Sequence, residues 1–186
     1  MSRRVAVALV HHPVLGREGE ILTTTLTNLD VHDIARSART YGLAAFYVVH
    51  PLESQQLVAA RIVEHWVEGA GGRRIPDRAE ALRVLRVVPT IEAAAADFSR
   101  EAGEVELWTT AARPSGDTTS YAAARPLLER EGPPVLILFG TGWGLAPAVL
   151  QSATRRLEPI AAARDAGFNH LSVRAACAIT LDRLFG

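Results

Sequence analysis

The sequence lacks the features that would mark a secreted, disulfide-bonded or membrane-spanning protein. Cys177 is the only cysteine among 186 residues, so no disulfide can form within the chain. A single cysteine fits a reducing compartment, and we expect a cytoplasmic protein. No apolar run reaches the roughly 18 residues that a membrane-spanning helix requires, so we expect no membrane segment. The apolar run that follows Arg3 and Arg4 is too short for a secretory signal peptide.

The sequence also lacks an excess of charge and the spacing of a metal site. Twenty basic residues balance twenty acidic ones, giving a net charge of +0, so the chain as a whole exerts no attraction on nucleic acid. RNA binding would therefore need a local patch, or one built by two subunits. The six histidines and the single cysteine do not fall at the spacing of a zinc site, and we expect no metal centre. A Gly-x-Ser-x-Gly nucleophile elbow does not occur either.

Short apolar runs alternate with amphipathic stretches along most of the chain. The predicted strands are 5–10, 43–49, 85–88, 105–109 and 135–139, with a short sixth strand at 157–160. The predicted helices are 28–41, 53–68, 79–82, 91–101, 120–131 and 172–185, with a short helix and turn within 145–156. This alternation predicts an α/β fold with a mostly parallel sheet and helices on both of its faces.

The segments between these elements carry their own expectations. Asn28 or Asp30 is expected to cap the first helix, because either side chain can accept from a free backbone N–H. Residues 13–27 are predicted to be a long polar loop, a length that is often functional. Residues 69–76 are predicted to be a flexible basic loop because they contain two adjacent glycines and two arginines.

A glycine-rich turn follows the most apolar predicted strand. Residues 136–145 read LILFGTGWGL, in which Gly140, Gly142 and Gly144 alternate with other residues. Without a Cβ, such a turn lets its backbone approach a ligand closely. It lacks the lysine of a P-loop and the last glycine of a dinucleotide fingerprint. Two interpretations stay open: a tight connector with Trp143 tucked into the core, or a loop that cradles a ligand at the carboxyl edge of the sheet.

Three unusual loops are expected to emerge at that same edge: 109–117, 140–146 and 157–172. Together they could line one pocket with backbone N–H and C=O groups and apolar walls. Such a pocket suits a neutral, amphipathic ligand such as an adenosine group. The residues by themselves take the inference no further.

Three motifs, taken in order, resemble the SPOUT superfamily of S-adenosylmethionine-dependent RNA methyltransferases. Residues 28–36, NLDVHDIAR, followed by Tyr41-Gly42, resemble the first motif, an Asn-containing loop and an Arg-bearing helix. Residues 138–145, LFGTGWGL, resemble the second, a strand that enters a glycine-rich loop. Residues 169–176, NHLSVRAA, resemble the third, which leads into the last helix.

The resemblance implies a single domain over residues 1–186 with a deep C-terminal trefoil knot and no separate RNA-binding domain. It also implies S-adenosyl-L-methionine as donor, an RNA acceptor such as tRNA or rRNA rather than DNA, and a homodimer whose site lies at the subunit interface. Arg36 matches an arginine that acts near the target hydroxyl in 2′-O-methyltransferases of the superfamily, and Asp30 and Arg174 are the other catalytic candidates. The implied donor-binding residues are Thr109, Thr110, Ala111, Phe139, Gly140, Thr141, Gly142, Leu145, Leu157, Ile160, Leu171, Ser172 and Val173.

The sequence departs from the superfamily pattern at three positions. Gly142 stands where an acidic residue is common, Arg174 replaces a serine, and Asp30 stands where several relatives have asparagine. Whether a ribose oxygen or a base is methylated therefore stays open. Two alternatives to an active enzyme also stay open: a module of this fold that binds RNA or an adenosyl ligand without catalysis, and an unknotted nucleotide-binding α/β protein.

The charged candidates also allow an interpretation in which they have no catalytic role. Arg36 could simply be a solvated helix arginine paired with Asp33. Otherwise Arg36 and Arg174 could hold a phosphate through forked hydrogen bonds. Asp30, Asp33 or His32 could accept the proton that the acceptor loses.

Overall fold

The computed structural model describes residues 2–99, 104–113, 116–164 and 167–186. Its strands are β1 (Val5–Val10), β2 (Val14–Leu15), β3 (Ile21–Leu22), β4 (Ala45–Val49), β5 (Leu85–Val88), β6 (Glu106–Thr109), β7 (Val135–Gly140) and β8 (Arg155–Arg156). Its helices are α1 (Asn28–Thr40), α2 (Glu53–Val67), α3 (Ala70–Arg74), α4 (Pro76–Leu82), α5 (Ile91–Ser99), α6 (Tyr121–Glu129), α7 (Pro147–Ser152) and α8 (Val173–Phe185).

Six strands form one parallel sheet in the order β5-β4-β1-β7-β6-β8. Alternate residues of the central strand β1 enter different cores: Val7 packs with α1, α6 and α8, whereas Ala8 packs with α5 and α7. Both faces of the sheet are therefore covered by helices, which confirms the predicted α/β class. The remaining pair, β2 and β3, is a separate antiparallel hairpin.

The central strands β1 and β7 lie side by side although 124 residues separate the end of one from the start of the other (Val10 to Val135). On one side of β1 lie β4 and then β5, which follow it in the chain. On the other side lie β7, β6 and β8. The carboxyl ends of two strands whose connections diverge in this way leave a crevice, where open α/β sheets bind ligands. The glycine-rich loop begins at this crevice.

Helix caps explain where two helices begin. The cap of α1 is Thr27 rather than Asn28 or Asp30: its hydroxyl accepts from the backbone N–H of Asp30 at 3.3 Å. The same hydroxyl donates to the Asp30 carboxylate at 2.6 Å. Asp30 is therefore tied back to the helix start instead of capping it. Ser172, where the last helix was predicted to begin, is the cap of α8, and its hydroxyl accepts from the backbone N–H of Ala175.

Two segments predicted to be loops contain regular structure. The 13–27 segment contains the β2–β3 hairpin. The 69–76 segment contains α3 and the start of α4, with Pro76 at the first helical position. Gly71 lies so close to Trp66 that an added Cβ would come within 2.7 Å of its ring. The glycines there permit close helix packing, which local sequence signals cannot distinguish from flexibility.

The edge strand and one helix end also differ from expectation. The sixth strand is Arg155–Arg156, two residues before the predicted 157–160. Because both of its residues are arginines, a pattern of apolar runs does not indicate this strand. The guanidinium of Arg155 stacks on the ring of Trp108 at 5.4 Å. Helix α5 is described to Ser99, and the predicted end at Glu101 lies outside the described residues. None of the described helices combines the length and the apolar character needed to cross a bilayer.

Candidate donor and acceptor site

A cavity of about 810 Å³ opens at the carboxyl edge of the sheet, beside the ends of β6 and β7. All three loops singled out in the sequence contribute to its wall. The predicted donor-binding residues that line it are Thr110, Ala111, Phe139, Gly140, Thr141, Gly142, Leu145, Ile160, Leu171, Ser172 and Val173. Thr109 and Leu157 are buried and do not line the cavity.

The glycine loop is clamped to the β2 strand by backbone hydrogen bonds. The N–H of Trp143 donates to the carbonyl of Leu15 at 2.9 Å, and the N–H of Leu15 donates to the carbonyl of Gly144 at 2.8 Å. Gly142 has a φ of +59°, and a Cβ there would lie 2.8 Å from the same Leu15 carbonyl. A Cβ on Gly140 would lie 2.6 Å from the backbone nitrogen of Leu145. The loop therefore requires glycine at both positions.

Trp143 does not enter the core. Its side chain is 57% exposed at the cavity mouth, so the interpretation of the loop as a connector with a buried tryptophan is wrong. The backbone on either side of Trp143 is fixed while its indole faces solvent.

Strand register brings three polar residues together beneath the loop. Val10 pairs with both Val49 and Gly140, so the residues that follow them, His11, His50 and Thr141, are neighbours at the sheet edge. Thr141 Oγ1 donates to the Val10 carbonyl at 3.0 Å.

Thr24 connects these neighbours. Its hydroxyl contacts that of Thr141 and lies 2.9 Å from His11 Nδ1. Its carbonyl accepts from His50 Nε2 at 2.9 Å. Burial, and to a smaller extent the neighbouring His50, lowers the pKa of His11 to about 4. Burial lowers the pKa of His50 as well, so both imidazole rings are neutral near pH 7. Their hydrogen bonds with Thr24 hold the residues beneath the glycine loop in place.

Two of the three catalytic candidates, Asp30 and Arg174, meet on the opposite wall, between α1 and α8. Arg174 Nη1 donates to Asp30 Oδ1 at 3.2 Å, and Arg174 Nε lies 3.5 Å from Asp33 Oδ2. Asp30 is buried and lines the cavity. Arg36 is exposed on α1 outside the cavity lining. The partner of Asp33 in the described part of the chain is thus Arg174 rather than Arg36.

Other candidates lie away from this cluster. His32 packs edge-on against Trp66 at 5.4 Å and does not line the cavity. Burial, followed by the charge of Arg78, lowers the pKa of His32. Cys177 is fully buried in the core, and burial raises its pKa to about 12, as in an unreactive thiol. The described residues contain no cluster of three His, Cys, Asp or Glu side chains that could hold a metal.

Sequence reasoning missed several lining residues. Leu15, Thr24, Thr25 and Thr27 all line the cavity, although they were assigned only to a polar loop. The threonine cluster was visible in the sequence, but nothing local to it indicated that the segment folds back against a loop more than a hundred residues away. The hydroxyls of these threonines add to the polar groups of the cavity wall.

A parallel α/β sheet with a cavity beside a glycine loop at its switch point is typical of proteins that bind a small molecule at that edge. A family model described as "SAM-dependent RNA methyltransferase" matches residues 4–186. The chain is 37% identical over 186 residues to a protein of Aquifex aeolicus, covering all of this chain and 90% of that one. The chain therefore belongs to this family of S-adenosylmethionine-dependent RNA methyltransferases, which confirms the class of protein that the sequence motifs predicted.

Two further similarities concern named proteins. The chain is 47% identical over 186 residues to a tRNA (guanine-N(1)-)-methyltransferase of Nitratidesulfovibrio vulgaris, covering all of this chain but 43% of that protein. The chain thus spans less than half the length of that relative. The SpoU methyltransferase AviRb of Streptomyces viridochromogenes, in complex with AdoMet, has a TM-score of 0.56 at 12% identity, with coverage of 100% of this chain and 58% of that one. At this identity the similarity supports the fold alone.

Proposed function

We propose that the chain transfers a methyl group from S-adenosylmethionine to RNA, with the donor in the cavity at the β6–β7 edge. The observation that carries the proposal is the convergence of three loops, distant in sequence, on one cavity of about 810 Å³. This volume lies within the range of small-molecule sites. When bound there, S-adenosylmethionine supplies an already activated methyl group.

The residues present fit such a donor. Leu145, Leu150 and Ile160 offer an apolar wall for an adenine ring. Gly140 and Gly142 line the cavity without a Cβ of their own, so a ribose or an amino acid can approach their backbone closely. The carboxylate of Asp30, on the opposite wall of the same cavity, is complementary to a positively charged sulfonium. These residues bind and orient the donor, which is the larger part of catalysis when a reactive group needs only positioning.

The acceptor chemistry is assigned to the α1–α8 wall. Asp30 is held on both oxygens, by Thr27 at 2.6 Å and by Arg174 at 3.2 Å, so its carboxylate has a fixed direction. It accepts the proton of the acceptor group, and Arg174 positions it. Arg36, exposed on the outer side of α1, binds a phosphate of the RNA.

Further properties of the superfamily complete the proposal. We infer that residues 1–186 fold as one domain with a C-terminal trefoil knot, act as a homodimer in the cytoplasm, and take tRNA as acceptor. The name of the N. vulgaris relative supports tRNA. Because this chain covers 43% of that protein, the guanine N1 position is one candidate acceptor atom beside a ribose 2′-oxygen.

The experiment is to incubate the chain with methyl-labelled S-adenosylmethionine and unmodified tRNA, and then to locate the label by mass spectrometry of nucleosides. Label in tRNA that disappears with Asp30→Asn supports the proposal. Donor binding without any label in tRNA or rRNA would instead indicate a module that has lost catalysis. The same tRNA incubated with Arg36→Ala protein tests the phosphate contact.

A further inference from the structure

An aromatic cluster stands exposed at the mouth of the cavity. We call Trp143, Phe168 and His170 the aromatic rim. The ring of His170 lies 6.3 Å from that of Trp143 and 6.1 Å from that of Phe168, tilted by 40° and 44°. Trp143 is 57% exposed and Phe168 is 74% exposed. All three residues line the cavity, so the rim borders the path into it.

The exposure of Trp143 is built into the backbone. Gly142 at a φ of +59° and Gly144 at +109° flank it. Hydrogen bonds to Leu15 on both sides hold the loop in place. Burying an aromatic side chain in a core usually contributes to the free energy of folding. An aromatic side chain that is exposed on a fixed loop does not make this contribution. An apolar patch of this kind at a pocket mouth marks a contact surface.

The charges around the cavity favour a polyanion as the partner. Among the described lining residues the charged side chains are Asp30, Arg113 and Arg174. Asp30 is already paired with Arg174, which leaves the exposed Arg113 to attract a phosphate. Aromatic faces beside an arginine are the combination that binds unpaired RNA bases and their backbone.

We propose that the aromatic rim stacks an unpaired base of the RNA that enters the cavity, with Arg113 contacting an adjacent phosphate. This rests on the proposed function. Stacking on an aromatic face is sequence-tolerant, because every base offers a π face. The rim therefore anchors the RNA strand without selecting its sequence, and the α1–α8 wall acts on the acceptor atom.

The test uses fluorescence anisotropy with a labelled single-stranded oligoadenylate of about 12 nucleotides, a length typical of single-strand sites. An abasic ribose-phosphate chain of equal length is the second probe. Trp143→Ala is expected to weaken oligoadenylate binding by about fivefold to 100-fold, the usual loss for a removed stacking partner. Trp143→Phe retains a ring and is expected to retain most of the affinity. Leu57→Ala, which truncates another exposed apolar side chain on α2, is expected to change nothing.

Two more results are expected if the rim stacks a base. Binding of the abasic chain should be the same in wild-type and Trp143→Ala protein, and any loss of S-adenosylmethionine affinity in calorimetry should be smaller than the loss of oligoadenylate affinity. Equal oligoadenylate affinity of wild-type and Trp143→Ala would overturn the proposal, as would a wild-type chain that binds the donor but no oligoadenylate. A loss of donor affinity as large as the loss of oligoadenylate affinity in Trp143→Ala would overturn it by assigning the rim to the donor, and loss of a dimer in sedimentation would overturn it by assigning the rim to a second copy. Failure of donor binding in the wild type is a different result, which contradicts the proposed function itself.

Discussion

The two walls of the cavity are built from different materials. The glycine-loop wall, residues 140–145, relies on backbone geometry, and its contacts to Leu15 are main-chain hydrogen bonds. The α1–α8 wall relies on side chains, with Arg174 bridging Asp30 and Asp33. A backbone wall recognises shape and tolerates few changes in φ, whereas a side-chain wall can change its chemistry by single substitutions. The two walls should therefore respond differently to substitution, the glycine-loop wall through backbone strain and the α1–α8 wall through lost charge.

The largest effect is expected from adding a Cβ to the backbone wall. Gly142→Ala forces a residue with a φ of +59° against the Leu15 carbonyl, 2.8 Å from the new Cβ. We expect a loss of about 3 kcal/mol in the free energy of unfolding, because strain and a clash add. Donor affinity should fall more than about tenfold, since the misplaced loop forms part of the cavity wall. Chemical denaturation and calorimetry measure the two losses.

The control for this substitution is Gly19→Ala. Gly19 has a φ of +87°, but no atom lies within 4 Å of the point that a Cβ would occupy, and the residue does not line the cavity. The variant should lose only about 1 kcal/mol from backbone strain and keep full donor affinity. Equal losses in the two variants would show that the Leu15 contact does not fix the loop.

The second-largest effect is expected from acid, which should destabilise the hydrogen-bond network of His11, Thr24 and Thr141 beneath the glycine-loop wall. Free His11 titrates at 6.5, whereas in the folded chain its pKa is lowered to about 4, mainly by burial. Between these values the unfolded chain binds the extra proton, so stability is full above pH 6.5 and falls as the pH drops toward 4. We expect a loss on the order of 2 kcal/mol in the free energy of unfolding. Denaturant titrations at several pH values measure it.

His11→Asn is the matched variant for the acid effect. Its amide can still bond to Thr24 but does not titrate. It should be less stable near pH 7 and lose less on acidification, although His50, whose pKa burial also lowers, keeps part of the slope. An unchanged slope in this variant would remove His11 from the explanation.

The charged wall should respond more mildly. Arg174→Ala leaves the buried Asp30 carboxylate without its cation, and we expect a loss of about 1–2 kcal/mol, reduced because Arg174 is partly exposed. Arg39→Ala removes an exposed pair with Glu80 and should cost less than about 0.5 kcal/mol. Thermal denaturation of both variants compares a pair at the cavity with one on the surface. A larger loss for Arg39→Ala would contradict the assigned importance of the cavity pair.

The smallest effect on stability is expected at Arg36. Because Arg36 is exposed and lies outside the cavity lining, Arg36→Ala should leave the free energy of unfolding within about 0.5 kcal/mol of the wild type. Its effect should appear as a weaker apparent affinity for tRNA in the methylation assay, with unchanged donor affinity in calorimetry. Unchanged methylation at limiting tRNA would place the phosphate contact elsewhere.

The sequence predicted what local patterns determine. The apolar run 5–10 is β1 with the same bounds. The start of the last helix was also predicted, because a serine hydroxyl just before a helix can accept from a free backbone N–H, as Ser172 does in α8. The two-arginine strand β8 was misplaced because its burial depends on Trp108, which is distant in sequence.

The site itself was predicted only in outline. Strand order brought the three loops to one edge as expected, since parallel strands end together. The pairing of Arg174 with Asp30, which lie 144 residues apart, could not be predicted from spacing. Nor could the meeting of His11, His50 and Thr141, which depends on the register of three strands. Local propensity carries no information about such register.

Calorimetric titration of the intact chain with S-adenosylmethionine, repeated on Gly142→Ala and Gly19→Ala, tests the central claim most directly. We expect saturable binding of one donor per chain that Gly142→Ala weakens more than about tenfold and Gly19→Ala leaves unchanged. No heat of binding to the wild-type chain at millimolar donor would contradict the claim.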